Sequence, residues 1–386
     1  MRLIGAPYWC VPDSWTKHLQ HVIELERMEY AWLEDKNIEV LTEGDVYPRP
    51  RYKVPANYLE IFDTALLAAK VGNGIHKYML DYTSKVNYET GYLARHIKNK
   101  PVYTEIERIF GDKTPTGVRV YESMDKIHTF DFTGIEKLHH FAADSFFSRA
   151  SRILSDSSIP TTYEGDGVGI AFGENARHLS DEALNNGLIL DIGAAKILME
   201  KGIDVGLIEI GGKIVTNQLY FPEFDDYAVT GYGKKSAYNL KVKDGAKVVV
   251  YSEADGERFV DAFHYENADG QKFLVYGFDA TATDETRYRN YYTQLQLLSS
   301  IEWLGGKKMP AVCVGNPDLY MLTSEGENGL AIGLWNIFAD EILKPVIELD
   351  REYTEAEFIN CNGKLIGNKI ELSEISPFGF AFVNLK

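Results

Sequence analysis

The chain has 386 residues, of which 45% are hydrophobic and 12% aromatic, a composition typical of globular proteins with more than one buried core. Its 57 acidic and 40 basic residues give a formal net charge of −17, which repels phosphate backbones and anionic lipid surfaces, so we expect no nucleic-acid and no membrane partner. The three cysteines, Cys10, Cys313 and Cys361, are far apart and predict neither a disulfide framework nor a metal site; with no signal-peptide pattern and no long apolar segment, the sequence favours a cytoplasmic protein.

Residues 1–112 alternate strand and helix signals at the spacing of βα units. A strand in "RLIGAPYW" precedes a helical pattern in "DSWTKHLQHVIELERMEYAWLEDK". The buried-type strand "IEVLTEG" is followed by a helix with an apolar stripe of Tyr58, Phe62, Ala65, Leu66 and Ala69. "GIHKYMLDY" predicts a third strand and "NYETGYLARHIKN" a further helix or turn. This order predicts a parallel sheet or part of a (β/α)8-type barrel, because three strands are too few to close one.

Residues 113–308 predict a second, flavodoxin-like α/β layer with a β insertion. Its predicted elements include a short strand at "GVGIAFG" and one helix over "SDEALNNGLILDIGAAKILMEKG". Short alternating runs follow, and then an amphipathic helix at "YYTQLQLLSSIEWLGG". Residues 309–386 read as strands separated by turns and predict a small antiparallel β domain. The sequence therefore predicts an α/β protein of three domains.

Carboxylates end two of the predicted parallel strands. Glu43 and Asp45 follow one strand, and Asp81 with Tyr82 ends the next. In parallel βα architectures, catalytic groups lie at the carboxyl ends of strands, where loops and helix N-termini converge. A carboxylate at this place can serve as the nucleophile of a retaining glycosidase, if a second carboxylic acid lies about 5 Å away.

Two arginines in the following turn give these carboxylates a second interpretation. Arg49 and Arg51 can clamp a substrate or lower the pKa of a neighbouring carboxyl group. Equally, Glu43 and Asp45 can simply hold the proline-rich turn by pairing with the arginines, a common role for acids at strand ends. The spacing alone leaves both interpretations open.

The remaining candidates are weaker. His18, His21 and Glu24 recur three apart on a predicted helix and can ligate a metal, although the polar face of that helix is the better interpretation. The loop "FGENARHLSDE" is best read as a helix entry capped by Ser180. The sequence has no GxSxG elbow, and its glycine-rich stretch is neither GxGxxG nor a Walker loop, so we expect no serine nucleophile and no nucleotide cofactor.

The order of segments resembles the C-terminal half of bacterial proteins related to family 42 glycoside hydrolases, the β-galactosidase-like enzymes. The resemblance rests on "ELERMEYAWLEDKNIEVLTEGDVYPRPRYKVPANYLEIFDTAL", on "IHKYMLDYTSKVNYETGY" and on "IPTTYEGDGVGIAFGENARHLSDEALNNGLILDIGAAKILMEKGIDVGL". It implies the last strands of a barrel over residues 1–112, a non-catalytic amidotransferase-like domain over 113–308, and a C-terminal β domain over 309–386. The amidotransferase-like domain implies a homo-oligomer, with a trimer as the form that the family indicates.

The same resemblance implies a site and a substrate class. It places Glu43 as the nucleophile, with Asp45, Arg49 and Arg51 around it, and it implies carbohydrate as the ligand, in particular β-linked galactosides. No metal and no cofactor are expected. The family's acid/base glutamate ends an earlier barrel strand with no counterpart in this sequence, so we expect a truncated or C-terminal part of such an enzyme. The alternative is a non-catalytic protein that binds carbohydrate or assembles an oligomer.

Overall fold

The computed structural model describes residues 1, 3, 19–33, 36–45, 54–79, 91–129, 133, 147, 149–216, 218–229, 235–280, 289–316 and 318–386. The α-helices in this part are α1 (Leu19–Ala31), α2 (Ala56–Ala68), α3 (Tyr92–Phe110), α4 (Ala150–Ser155), α5 (Asp181–Asn185), α6 (Ile192–Glu200) and α7 (Tyr291–Gly305). Segments of 3₁₀ helix cover Met124–His128 and Gly173–His178. None of the described helices is both long and apolar enough to cross a membrane.

The strands up to residue 276 are β1 (Leu41–Gly44), β2 (Gly74–Lys77), β3 (Thr114–Thr116), β4 (Val118–Val120), β5 (Thr161–Thr162), β6 (Gly169–Ala171), β7 (Leu188–Leu190), β8 (Leu207–Thr216), β9 (Gln218–Phe221), β10 (Asp226–Val229), β11 (Lys235–Val242), β12 (Lys247–Ala254), β13 (Glu257–Glu266) and β14 (Lys272–Tyr276). The later strands are β15 (Ala311–Cys313), β16 (Leu319–Gly326), β17 (Gly329–Asn336), β18 (Ile342–Leu343), β19 (Val346–Leu349), β20 (Ala356–Ile359), β21 (Gly363–Ile366), β22 (Lys369–Leu372), β23 (Glu374–Ile375) and β24 (Phe380–Leu385).

The chain forms two compact units. The first comprises Met1–Gly117, Ser158–Glu164 and Pro310–Lys386, and the second comprises Val118–Ser157 and Gly165–Met309. The predicted boundaries after residues 112 and 308 lie close to the limits of these units. The division into three domains stays a prediction.

In the first unit, β1 and β2 form the predicted parallel pair, with Gly44 opposite Lys77. Helix α2 connects them, and four residues of its predicted apolar stripe, Tyr58, Phe62, Ala65 and Leu66, are buried. The stripe is buried because these residues recur at helical spacing on the face that meets the core. The described residues confirm a mixed α/β fold, and a closed barrel is not shown among them.

The remainder of the first unit consists largely of antiparallel strands. One sheet has the order β20-β24-β17-β16-β3, and a second has the order β15-β19-β22-β21. Within β17, Leu330, Ile332 and Leu334 join the core shared with the second sheet. The alternate residues Ala331 and Trp335 join the core formed with α1, α2 and α3. Since successive residues of a strand point to opposite faces, both faces of this sheet are buried, which explains the uninterrupted apolar run "GLAIGLW".

The second unit is built on a mixed sheet. Strands β14, β7, β6 and β4 are neighbours in that order and run parallel. Strand β13 pairs antiparallel with β14 and continues the sheet through β12, β9 and β10. Helix α6 packs on the parallel strands through Ile192 and Leu198, within a core that includes Leu188, Phe263 and Phe273.

The single helix predicted over residues 180–202 is wrong. The structure places α5, then β7, then α6 in this segment. Gly187 has φ +82° and a Cβ at this position would lie 2.9 Å from the carbonyl oxygen of Leu304, so both the backbone conformation and the packing select glycine. The predicted cap is confirmed, since Ser180 Oγ accepts a hydrogen bond from the Ala183 amide at 3.3 Å.

Asp191 is the N-cap residue of α6 and accepts hydrogen bonds from backbone amides that follow three strands. Its Oδ1 accepts hydrogen bonds from the amides of Ala194 at 2.8 Å and Gly173 at 2.9 Å, and its Oδ2 accepts from the Ala280 amide at 3.1 Å. These amides follow β7, β6 and β14 respectively. The Asp191 side chain therefore connects the carboxyl ends of these parallel strands. It also follows directly on β7, the strand that was predicted as part of a helix.

Candidate functional site

Glu43 lies near the carboxyl end of β1, as the sequence predicts, opposite His76 of β2. Only 5% of Glu43 and 7% of Asp45 is exposed. The other predicted site residues, Arg49, Arg51, Asp81 and Tyr82, lie outside the described residues, so their proposed pairing with Glu43 and Asp45 stays a prediction.

The end of β1 is shaped by a close contact with α2. A Cβ on Gly44 would lie 2.7 Å from Asp63 Oδ1 and 3.3 Å from Leu59 Cδ1, so any larger residue would displace the helix or its carboxylate. Glycine at this position lets the Asp63 side chain approach the strand end that carries Glu43. The site therefore contains more carboxyl groups than the sequence pattern indicated.

Glu26 of α1 is a carboxyl group whose pKa is affected by the charge of Glu43. It is fully buried, and neither of its carboxyl oxygens has a hydrogen-bond partner among the residues that the structure describes. Burial raises the pKa of Glu26 well above its ordinary value, and the nearby charges of Glu29, Asp63 and Glu43 raise it further. The environment of Glu26 therefore favours the neutral form of its carboxyl group.

Lys77 of β2 neutralises two further carboxylates of α2. Its ammonium group donates a hydrogen bond to Glu60 Oε1 and forms an ion pair with Asp63, 2.7 Å from Oδ2. The side chains of Glu60 and Asp63 are 1% and 0% exposed. Burial raises the pKa of Asp63 to about 6, although the charge of Lys77 opposes this shift.

Helix α3 completes the hydrogen bonds of this group. Asn99 Nδ2 and Tyr103 Oη donate to Glu60 Oε2 at 2.9 Å and 3.0 Å. His96 Nδ1 lies 3.1 Å from Lys77 Nζ, and burial together with the Lys77 charge lowers the pKa of His96. A neutral His96 with Nδ1 as acceptor fits this geometry. Glu60, Asp63 and Lys77, with these three partners, are called the Lys77 cluster below.

A second buried network lies elsewhere in the first unit, around Glu24 of α1. Arg27 donates to Glu24 Oε1 at 2.6 Å, and Thr161 Oγ1 donates to Glu24 Oε2 at 2.8 Å. Tyr163 Oη also donates to Oε2 at 2.7 Å, and Tyr320 Oη donates to Oε1 at 2.6 Å. His21 and Glu24, predicted to lie on the polar face of this helix, are both buried. His18 lies outside the described residues.

Replacing Arg27 by methionine is expected to lower the free energy of unfolding by about 3 kcal/mol, because Glu24 would keep its hydroxyl donors but lose the cation that pairs with it. Urea unfolding followed by tryptophan fluorescence measures the loss. The control is Lys369→Met, which removes the half-exposed Lys369–Glu348 pair and is expected to cost less than about 1 kcal/mol. Equal losses in the two variants would contradict the role assigned to Arg27.

No group of His, Cys, Asp or Glu side chains suited to a metal ion occurs among the described residues. What the site does contain is two buried carboxyl groups, Glu26 and Glu43, and the charge of Glu43 contributes to the raised pKa of Glu26. A carboxyl group whose pKa is raised by burial can serve as a general acid in an enzyme. This pair is the chemical feature of the site that a solvated turn would not show.

Solved structures resemble the chain over nearly its whole length. A GH42 β-galactosidase from G. stearothermophilus and its catalytic mutant match 100% of this chain and 59% of their own, at 10% and 9% identity, with TM-scores of 0.58 and 0.56. The cold-adapted β-galactosidase from Rahnella sp. R3 matches 97% of this chain and 59% of its own, at 11% identity and a TM-score of 0.56. The chain is similar in fold to about three fifths of these family 42 β-galactosidases. The predicted resemblance to this family is thus confirmed for the fold.

An α-L-fucosidase, isoenzyme 2 from Paenibacillus thiaminolyticus, has a TM-score of 0.56 at 9% identity, over 94% of this chain and 63% of its own. The chain thus spans about three fifths of the length of the structures it resembles. No family model matches the sequence, and no curated protein is similar to it in sequence. The similarity extends to enzymes with different sugar specificities, so the fold alone does not select a substrate.

Sequence reasoning missed Glu26, Glu60, Asp63 and Lys77. A signal for two of them was present in "ANYLEIFDTALLA", where Glu60 and Asp63 interrupt a strongly apolar helix at a spacing of three. Carboxylates on the buried face of a helix require cations or hydrogen-bond donors nearby, so this pattern predicts buried partners without identifying them. Glu26 had no such signal, because α1 carries charged residues on all sides.

Proposed function

We propose that the chain is a glycoside hydrolase-related protein whose chemistry is the retaining hydrolysis of β-linked galactosides or related oligosaccharides. The observation that carries the proposal is the position of Glu43 near the carboxyl end of β1, where its charge contributes to the raised pKa of Glu26. The fold similarity to β-galactosidases from two bacteria supports the same substrate class. Asp45, together with Arg49, Arg51, Asp81 and Tyr82, is proposed to contact the sugar.

Retaining hydrolysis requires a carboxylate nucleophile and a carboxylic acid that donates a proton. In the first step, the Glu43 carboxylate attacks the anomeric carbon, the glycosidic bond breaks, and a carboxylic acid protonates the leaving oxygen. In the second step, water displaces the Glu43 ester while the same acid group, now a carboxylate, accepts a proton from the water. We assign the donor role to Glu26, because burial raises its pKa and the charges of Glu29, Asp63 and Glu43 raise it further.

The test is mechanism-based labelling. The purified chain is incubated with a 2-deoxy-2-fluoro-β-galactosyl fluoride and assayed in parallel on a panel of aryl β-glycosides. A fluorosugar ester on the peptide that contains Glu43, with turnover of at least one aryl glycoside, is the expected result. A label on another carboxylate would overturn the assignment of Glu43, and a folded chain with neither label nor turnover would overturn the hydrolase proposal.

One observation favours the alternative, a protein that binds carbohydrate or assembles an oligomer without catalysis. Glu43 is 5% exposed and Glu26 is fully buried, which is the burial expected of carboxyl groups that support the core. For this alternative we propose a cytoplasmic homo-oligomer, with a trimer as the expected form. Light scattering on the purified chain, with a chain mass of 43.6 kDa, distinguishes a monomer from a trimer.

A further inference from the structure

His76 is the residue of β2 that lies in register with Glu43 of β1. The two strands run parallel, and neighbouring strands of a sheet lie about 4.8 Å apart. Residues in register on neighbouring strands point to the same face of the sheet, so the side chains of His76 and Glu43 stand beside one another. His76 is exposed, whereas Glu43 is buried. A ligand that approaches this face can therefore reach the imidazole ring.

The opposite face of β2 is held by buried ion pairs. Lys77 of this strand contacts Glu60 and Asp63 of α2. Because successive residues of a strand point to opposite faces, these ion pairs direct Lys77 towards α2 and His76 away from it. The Lys77 cluster thus holds β2 in the orientation that presents His76 on the face of Glu43.

Tyr78 restricts the position of the His76 ring. The Tyr78 amide donates a hydrogen bond to the Gly44 carbonyl oxygen at 2.8 Å, which continues the pairing of β1 and β2 by one residue. Tyr78 lies two residues after His76 and therefore shares its face of the strand. The centroids of the two rings are 4.8 Å apart, and the ring planes are inclined at 34°. This ring contact limits the rotation of the His76 side chain, although the imidazole is exposed.

A histidine at this position is unusual for a parallel strand. Strands of parallel sheets usually read as continuous apolar runs, whereas β2 has the sequence GIHK. The charge of Lys77 is accounted for by its two carboxylate partners. The ring of His76 has no hydrogen bond and no ion pair among the residues that the structure describes. Its two nitrogen atoms can therefore bond to a ligand.

The imidazole ring suits the hydroxyl groups of a sugar. In the neutral ring one nitrogen donates a hydrogen bond and the other accepts one, and a sugar hydroxyl group can do both. Since His76 and Glu43 belong to neighbouring strands, one pyranose ring can contact both side chains. An anionic ligand is a poorer match, because the acidic residues Glu43 and Asp45 follow one another on the adjacent strand end.

We propose that His76 contacts the sugar that binds at Glu43, and that Tyr78 positions the His76 ring for this contact. These roles rest on the proposed function, because they take Glu43 as the centre of the sugar site. They also specify the ligand class of this face: a neutral β-galactoside with a ring hydroxyl group directed at the imidazole.

Steady-state kinetics on an aryl β-galactoside tests the contact. His76→Ala is expected to raise KM about threefold to tenfold and to leave kcat within about threefold, because one hydrogen bond to the bound sugar is lost. His76→Gln, whose amide group can donate and accept, is expected to have a KM between those of the wild type and His76→Ala. The matched control is His128→Ala, which alters an exposed histidine of the second unit and is expected to leave both constants unchanged.

Tyr78→Leu separates positioning from direct contact. Leucine removes the ring that packs against His76, so Tyr78→Leu is expected to raise KM in the wild-type background and to add little when His76 is already replaced by alanine. Tyr78→Phe keeps the ring and is expected to retain a KM close to that of the wild type. Urea unfolding checks that each variant folds. Equal changes in KM by Tyr78→Leu in the two backgrounds would overturn the positioning role.

A binding measurement that needs no turnover separates the contact from the hydrolase proposal. Methyl β-D-galactopyranoside is added to the wild-type chain with isotopically labelled histidines, and NMR signals are assigned with His76→Gln and His128→Ala. A shift of the His76 signal without a shift of the His128 signal supports the contact, even if Glu43 forms no fluorosugar ester, a result that would overturn the hydrolase proposal alone.

Two outcomes would overturn the role of His76. One is a His76 signal that does not shift up to about 100 mM sugar, whatever the result of the labelling. The other is a fluorosugar ester on Glu43 together with a KM that His76→Ala leaves unchanged, which would leave the hydrolase proposal standing.

Discussion

Replacing Glu43 by glutamine is expected to abolish labelling by the fluorosugar and to lower turnover of an aryl β-galactoside at least about thousandfold. The amide of glutamine has nearly the shape of the carboxylate but cannot form the glycosyl ester. The measurement is the initial rate at saturating substrate, together with the mass of the intact protein after incubation with the inhibitor. The control is Glu39→Gln, which alters an exposed glutamate just before β1 and is expected to retain activity.

The same pair of variants separates a catalytic from a structural role of Glu43. If Glu43 only supports the core, Glu43→Gln changes the free energy of unfolding while any turnover falls no more than the loss of folded protein explains. A variant that folds with the wild-type midpoint of urea unfolding and has lost its label identifies the nucleophile. Retention of label and turnover in Glu43→Gln would contradict the proposal.

Replacing Lys77 by methionine is expected to lower the free energy of unfolding by about 4 to 5 kcal/mol at pH 8. The variant leaves two buried carboxylates, Glu60 and Asp63, without their cation, whereas loss of Arg27 strands only one. Urea unfolding measures the difference. The control is Lys98→Met, since Lys98 is exposed on α3, and it is expected to change stability by less than about 0.5 kcal/mol.

The cost of Lys77→Met should depend on pH in a defined direction. In the folded wild-type protein the pKa of Asp63 is about 6, above its ordinary value of 3.8, so the folded state gains stability relative to the unfolded state as the pH falls from above 6 towards 4. Without Lys77 the pKa of Asp63 rises further, and Asp63 is neutral over a wider range. We therefore expect the loss of stability to be smaller at pH 5 than at pH 8. Asp63→Asn in the Lys77→Met background should recover part of the loss at pH 8, and no recovery would contradict this account.

The region around Glu43 shows what can be predicted from local residue patterns in the sequence. The position of Glu43 at the end of a strand followed from a short apolar run that stops at a charged turn, because strand ends are marked by local residue types. The burial of Tyr58, Phe62, Ala65 and Leu66 followed from their helical spacing in the same way. The roles of Arg49, Arg51, Asp81 and Tyr82 stay predictions.

The segment 180–202 shows where local patterns fail. "NNGLILDIGAAKILMEKG" has the length and apolar content of one buried helix, and a short apolar run does not distinguish a strand from a helix. The structure decides the matter through contacts with distant residues: Leu188 to Leu190 pair with both β6 and β14, and Gly187 approaches Leu304. Asp191 then begins the second helix by accepting hydrogen bonds from three amides.

By itself, the sequence determined the elements whose signals are local: the strand that carries Glu43, the buried stripe of α2, and the strands after residue 310. Only the tertiary structure decided which charged and polar side chains contact one another. Thr161 and Tyr320 lie 137 and 296 residues from Glu24 in the chain, yet both donate hydrogen bonds to its carboxylate. Pairing at such separation depends on how the elements pack, and packing also removes water from Glu26, which raises its pKa. Periodicity in the sequence records which face of an element is apolar, and it carries no information on which distant side chain will lie against that face.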